Sequence, residues 1–276
     1  MRFKYLGTAA AEGWPAMFCQ CEACKKARKA GGKNIRTRSQ AVVDDKLLID
    51  FPADTYMHVL YQGLDLANIQ HCLITHNHSD HLYPADIEIR GGVFAHLFPE
   101  RCLTFYGTEG VGAQIKSTIE QVKFTENRRA AFQTITPFVP FAVDEYTVTP
   151  LRADHSAHSD PVIYIIEKGD KKLLYANDTG YFTEETWNYL EKNITGFDFV
   201  SLDCTCILID CKRGHMGFDT CVTVKERLTD MGCANKNTTF CLHHFSHNGS
   251  LIYDELVPKA LEKGFLVSYD GMTIDI

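Results

Sequence analysis

The chain has 276 residues, 45% apolar and 23% charged, with a formal net charge of -7. That composition specifies a folded chain with one large core, spanned by a single domain over 1–276, and the acidic balance disfavours attraction to long nucleic acid. No window approaches roughly 18 uninterrupted apolar residues, so a helical membrane span is excluded, and eleven cysteines without an export signal read as reduced thiols and metal ligands of a cytoplasmic protein.

In chain order, "MRFKYLGTAA" holds one short strand. "CQCEAC" then places Cys19, Cys21 and Cys24 on a tight turn at 19–24, before a Lys-rich helical stretch. Three thiolates need one further ligand to close a tetrahedral zinc shell, and a closed shell is structural; the alternative is three reduced cysteines on a loop. Arg36 and Arg38 in "NIRTRSQ" are candidates to grip a phosphate, or ordinary solvated arginines. The apolar run "HCLIT" ends in His76, His78, Asp80 and His81, four ligand types within six residues. Downstream, "YTVTPLRAD" precedes His155, "KKLLYAN" precedes Asp178, and "TTFCLH" precedes His244. Segments of helical spacing lie at roughly 109–122, 183–193, 219–231 and 252–263. The alternation suggests sheets covered by helices, with ligands along one rim.

These residues carry a definite chemistry. Imidazole suits borderline divalent ions, and carboxylates supply the charge that two adjacent cations need. His76, His78 and His155 fit one ion, Asp80, His81 and His244 a second, with Asp178 as the bridge. Open positions on such a pair would hold a water acidified toward neutrality, a hydroxide nucleophile, and would stabilise attacking and leaving oxygens. His58, His71, His96 and His243 read as structural or surface residues. Cys204, Cys206 and Cys211 in "DCTCILIDC" read as buried thiols. Asp203, Tyr181 and His158 neighbour proposed ligands and are candidates to orient them. Trp14, Trp187 and the Phe-rich "FQTITPFVPF" read as core or lid packing.

"THNHSDH", with "ADHSAHSDPVIYIIE", "YANDTGYF" and "CLHHFSH", resembles the ligand segments of the metallo-β-lactamase superfamily over nearly the whole chain. More narrowly, "LGTAAAEGWPAMFCQCEACKKAR" and "FLVSYDGMTIDI" resemble the PhnP-type cyclic phosphodiesterases. The resemblance implies an α/β fold, a four-layer αβ/βα sandwich, with two zinc or manganese ions in a dinuclear active site. It implies phosphodiester hydrolysis by a homodimer, on the seven ligands named above. It also implies that His247 completes the Cys19, Cys21 and Cys24 cluster as a structural zinc site. His215, in the Gly-flanked "KRGHMGFDT", matches a family histidine near the scissile phosphate and is, with Asp80, a candidate catalytic residue; the other reading is a solvated loop histidine.

The function expected is hydrolysis of a small anionic phosphodiester, of the cyclic ribose phosphate or cyclic nucleotide type. His78 departs from the His-x-Glu pattern of the superfamily's di-iron redox members. A transfer-RNA-processing nuclease is the near rival, though no long Gly- and Lys-rich insertion is present to act as an RNA-binding arm. The other alternative is a non-hydrolytic accessory protein resembling the pyrroloquinoline-quinone biosynthesis branch, which shares the cysteine cluster but departs from the active-site motif.

Overall fold

Residues 1–91, 93–97, 101–124, 129–156 and 159–276 are described in a computed structural model; His158 lies outside them. The first sheet contains β1 (Arg2–Gly7), β2 (Gln40–Val43), β3 (Leu47–Ile49), β4 (His71–Leu73), β5 (Leu103–Gly107) and β6 (Ala130–Thr134), with β14 (Thr273–Asp275) beside β1. The second runs β7 (Phe141–Val143), β8 (Tyr146–Arg152), β9 (Val162–Lys168), β10 (Lys171–Ala176), β11 (Phe199–Asp203), β12 (Thr239–His243) and β13 (Leu266–Val267) in spatial order.

Side chains alternate across a strand, and here both faces are buried. Along β9, Val162, Tyr164 and Ile166 enter the core between the sheets with Phe3, Tyr5 and Val43 of the first sheet. Ile163 and Ile165 enter a second core instead. There they meet Trp187 and Leu190 of α4 (Glu184–Asn193), Val224 and Leu228 of α5 (Phe218–Asp230), and Leu256 of α6 (Tyr253–Glu262). On the far side of the first sheet, Val42, Leu48 and Phe105 pack on Val111 and Ile115 of α3 (Glu109–Gln121). Helix, sheet, sheet, helix is therefore the layer order, with cores between successive layers. Each fully buried Leu, Ile or Phe contributes about 1.5–3 kcal/mol. Doubly covered strands read as continuous apolar runs, the pattern that made "KKLLYAN" and "TTFCLH" recognisable as strands.

Strand direction positions the site. β3, β4, β5 and β6 are parallel neighbours, as are β10, β11, β12 and β13. Parallel strands finish on the same side, so the exits of β3, β4, β10, β11 and β12 form one rim where the two sheets meet. The short helix α1 (Glu22–Ala30) follows the cysteine turn, α2 (Thr55–Tyr61) follows β3, and the bridge of Ala9 to Phe245 ties the N-terminal region to the exit of β12.

Candidate metal centre

Donor atoms of seven residues converge on the rim in two adjoining groups. His76, His78 and His155 form one; Asp80, His81, Asp178 and His244 form the other. His155 Nε2 faces His78 Nδ1 at 3.2 Å, and His81 Nε2 faces His244 Nε2 at 3.3 Å. Asp178 Oδ2 lies 3.3 Å from His76 Nε2 and 2.7 Å from His81 Nε2, which joins the groups. Asp80 Oδ2 stands 3.3 Å from His81 Nε2 and 3.8 Å from His244 Nε2.

The strand exits turn sharply to aim these groups. Asp50, Asp178 and His244 have φ of 67°, 51° and 61°, a left-handed backbone that costs non-glycine residues energy and gathers at functional sites. The turn after Asp178 needs Gly180, because a Cβ there would meet Lys212 O at 2.6 Å and Gly214 N at 2.8 Å, on the loop that carries His215.

The donor set fits divalent cations. Two nitrogens on one tetrahedral zinc, each about 2.0–2.1 Å from it, stand about 3.3 Å apart, which matches both imidazole pairs. His76 Nε2 and Asp178 Oδ1 are buried without a hydrogen bond. The ring nitrogens of His215 and His244, each 3.2 Å from Asp178 Oδ1, are off the hydrogen-bonding direction, so this oxygen keeps lone pairs for a cation. Burial, reinforced by neighbouring imidazoles, pushes the His76 pKa well down, leaving the neutral ring that ligation requires. Burial also pushes Asp178 up, but His244, His81 and His215 outweigh it and hold the carboxyl well below its usual range. His81 goes the other way: burial opposes its charge, and Asp80, Asp50 and Asp178 more than compensate, raising its pKa.

A ring of supporting contacts fixes the ligands. His81 Nδ1 faces Asp50 Oδ2 at 2.7 Å, while Asp50 Oδ1 accepts from Thr75 N at 2.8 Å. His155 Nδ1 donates to Gly214 O at 2.8 Å, and Thr205 Oγ1 lies 2.8 Å from His244 Nδ1. Asp203 Oδ2 stands 3.0 Å from His215 Nδ1, and its Oδ1 accepts from Thr205 N and Met216 N. Burial disfavours the His215 cation, but Asp203 and Asp178 outweigh it and raise the pKa to about 11. His215 lines a cavity of about 430 Å³ together with Glu12, His78, Asp80, His155, Asp178, His244 and Asn248.

The cysteine turn forms a separate group. Cys19, Cys21, Cys24 and His247 gather their donor atoms, with His247 Nδ1 3.6 Å from Cys19 Sγ and 3.3 Å from Cys21 Sγ. Sulfur and nitrogen ligands of one tetrahedral zinc stand about 3.6 Å apart. Cys21 caps α1, its sulfur accepting from Cys24 N. Slight burial pushes its pKa up, but this bond and those with His247 and Cys19 bring it down to about 6. Cys24, more buried, is pushed up to about 12. Thiols that share one negative charge divide in this way, and a cation among them would let all three ionise.

Other expectations fare differently. Arg36 is neither solvated nor at the cavity: it is 4% exposed, donates to Thr8 Oγ1 and Ser268 O, and lies over the Phe245 ring. Arg38 is also absent from the cavity wall; it pairs with Asp54 and donates from Nε to Ala11 O. Tyr181 orients no ligand, since its hydroxyl accepts from Arg227 and its ring packs on Trp187. Cys204 is buried as expected, but Cys206 and Cys211 are half-buried and Cys206 lines the cavity. Trp14 and Trp187 are core residues. Asp50, Thr205 and Glu12 were not anticipated. Asp50 follows the apolar run "KLLI", the same strand-then-carboxylate pattern that marked Asp178, whereas Thr205 and Glu12 carry no such signal.

A family model described as the beta-lactamase superfamily domain matches residues 48–245. The chain belongs to the β-lactamase superfamily. Solved structures show the same fold around this superfamily member. The zinc-bound PqqB of Methylobacterium extorquens is 22% identical with a TM-score of 0.76, covering 100% of both chains. A diphosphatase from the PhnP family is 18% identical with a TM-score of 0.75, covering 100% of this chain and 97% of that one. Human tRNase Z, short form, is 17% identical with a TM-score of 0.68, covering 100% and 99%. The comparison with curated proteins gave no match. Among the described residues, no helix is long and apolar enough to cross a membrane.

Proposed function

We propose that this superfamily member is a dinuclear metal-dependent phosphodiesterase acting on a small phosphodiester of the cyclic ribose phosphate or cyclic nucleotide type. The observation that carries the reading is the convergence of seven ligands in two groups joined by Asp178. Two divalent ions, zinc or manganese, would supply Lewis acidity toward the phosphoryl oxygens and acidify a bound water. His76, His78 and His155 would hold one and Asp80, His81 and His244 the other, with Asp178 lying between the two groups. Asp80 faces the cavity as a carboxylate, held below its usual pKa despite burial by His81 and His244, the ionised form that would bind a cation and orient the attacking water by accepting its hydrogen bond. His215 is fixed through Nδ1 by Asp203, which leaves Nε2 to donate a proton to the departing alkoxide.

Among the described residues, the cavity wall contains no Lys or Arg, which favours a small substrate over transfer RNA, since a long polyanion is held by phosphate contacts from such residues. The likeness to PqqB keeps a non-hydrolytic role as the second reading, and the complete ligand set favours turnover. A chain with eleven cysteines, three of them gathered with His247 as candidate metal ligands, suits the reducing cytoplasm.

The test combines metal content with turnover of bis(p-nitrophenyl) phosphate and 2′,3′-cyclic nucleotides, for the purified protein and Asp178→Ala, with zinc or manganese added back. Metal-dependent cleavage abolished by the substitution is expected. Full metal loading without cleavage of any diester would sink the phosphodiesterase reading in favour of the accessory one. Sizing of the same sample reads whether the chain pairs as a homodimer; a monomeric mass would remove that part.

A further inference from the structure

Glu12 is an acidic side chain on the wall of a cavity proposed to receive an anion. Among the described residues, no Lys or Arg of that wall neutralises it. Its Oε1 is occupied, accepting from Ser246 Oγ at 2.5 Å and lying 3.7 Å from His247 Nε2. Among the described residues no donor engages Oε2. A carboxylate facing a phosphodiester raises the energy of binding through like charge, so its place in the wall calls for donors on the substrate itself.

The segment that presents Glu12 is held rigidly. Thr8 N and Ala9 N both donate to Thr37 O, Ala10 N donates to Phe245 O, and Gly13 N to Ala10 O. Arg38, tied to Asp54, donates to Ala11 O from the other side. The carboxylate is thus pre-positioned, which spares the ordering cost of binding. Ala10, Ala11 and Ile209 give the same wall an apolar face. At about 430 Å³ the cavity is in the range that holds a whole small ligand, so it has room for more than a phosphoryl group.

Resting on the phosphodiesterase reading, we propose that Glu12 is the specificity-determining residue for the sugar side of the substrate: its free carboxylate oxygen accepts hydrogen bonds from the ribose hydroxyls that the phosphate ester leaves free, while the phosphate lies on the metal centre. Hydrogen bonds to an ionised acceptor are the strong ones, and a substrate lacking the hydroxyls leaves the carboxylate desolvated and unpaired. Both effects act on the ratio of affinities for a sugar with and without its hydroxyls.

Calorimetric binding of adenosine 5′-monophosphate and its 2′,3′-dideoxy analogue to the metal-loaded protein reads this ratio without turnover. Wild type is expected to prefer the hydroxylated ligand by about tenfold, and Glu12→Gln and Glu12→Ala to bring the ratio close to one. A wild-type ratio of one, or a preference that survives both substitutions, overturns the assignment. So does loss of zinc from the cysteine cluster in both variants with the preference intact, which would make Glu12 a support for His247 alone. If the preference is present but no phosphodiester is cleaved, the hydrolase reading fails while the hydroxyl contact stands.

Discussion

His81 is gripped on both nitrogens, Nδ1 by Asp50 and Nε2 by the group that includes Asp80, Asp178 and His244. Asp50 fixes which nitrogen points at the cation, so Asp50→Asn should weaken metal binding by roughly 10–100-fold, read by chelator competition; unchanged affinity would leave Asp50 a purely structural residue. His215 has the same kind of partner in Asp203, but no ligand role in the proposed pair. His215→Ala should lower kcat by roughly 10²-fold on a diester with a poor leaving group while both ions stay bound. Unaltered turnover there would remove it from the proton transfer. The contrast between Asp50 and Glu12 shows what local reading reaches. Asp50 ends an apolar run and was open to the rule that found Asp178, whereas Glu12 lies among small residues and takes its meaning from Ser246 and His247, more than 200 positions away.

At the scale of elements, the exit of β12 serves two groups at once, His244 in the His/Asp group and His247 in the cysteine group. A cation held by that cluster would therefore clamp the start of α1 to the loop that aims His244, a coupling of metal binding to folding. Cys24→Ser should lose about one zinc equivalent and destabilise the protein by several kcal/mol, seen as a lower Tm. Zinc content and Tm equal to wild type would refute a structural site. Helical spacing anticipated α3, α4, α5 and α6 nearly to the residue, because each has an apolar stripe against its sheet. Arg36 was misjudged for the opposite reason. A charged side chain carries no periodic signal of burial, and Arg36 is buried by partners from 28 to 232 positions distant.

Across the whole molecule, the sequence by itself determined the layered architecture and the identity of the candidate ligands. Both follow from short-range order: apolar runs that end in His or Asp, and four ligand types packed into six residues after β4. Tertiary structure alone decided the distances at which those residues meet, which side chains support them, and which side chains wall the cavity. Those outcomes depend on parallel strands from two sheets ending on a common rim, which brings Asp50, His76, Asp178, Asp203 and His244 within a few ångströms although they span nearly 200 positions. Contacts of that range are set by strand order and by the burial between sheets, neither of which leaves a mark within any one segment of chain.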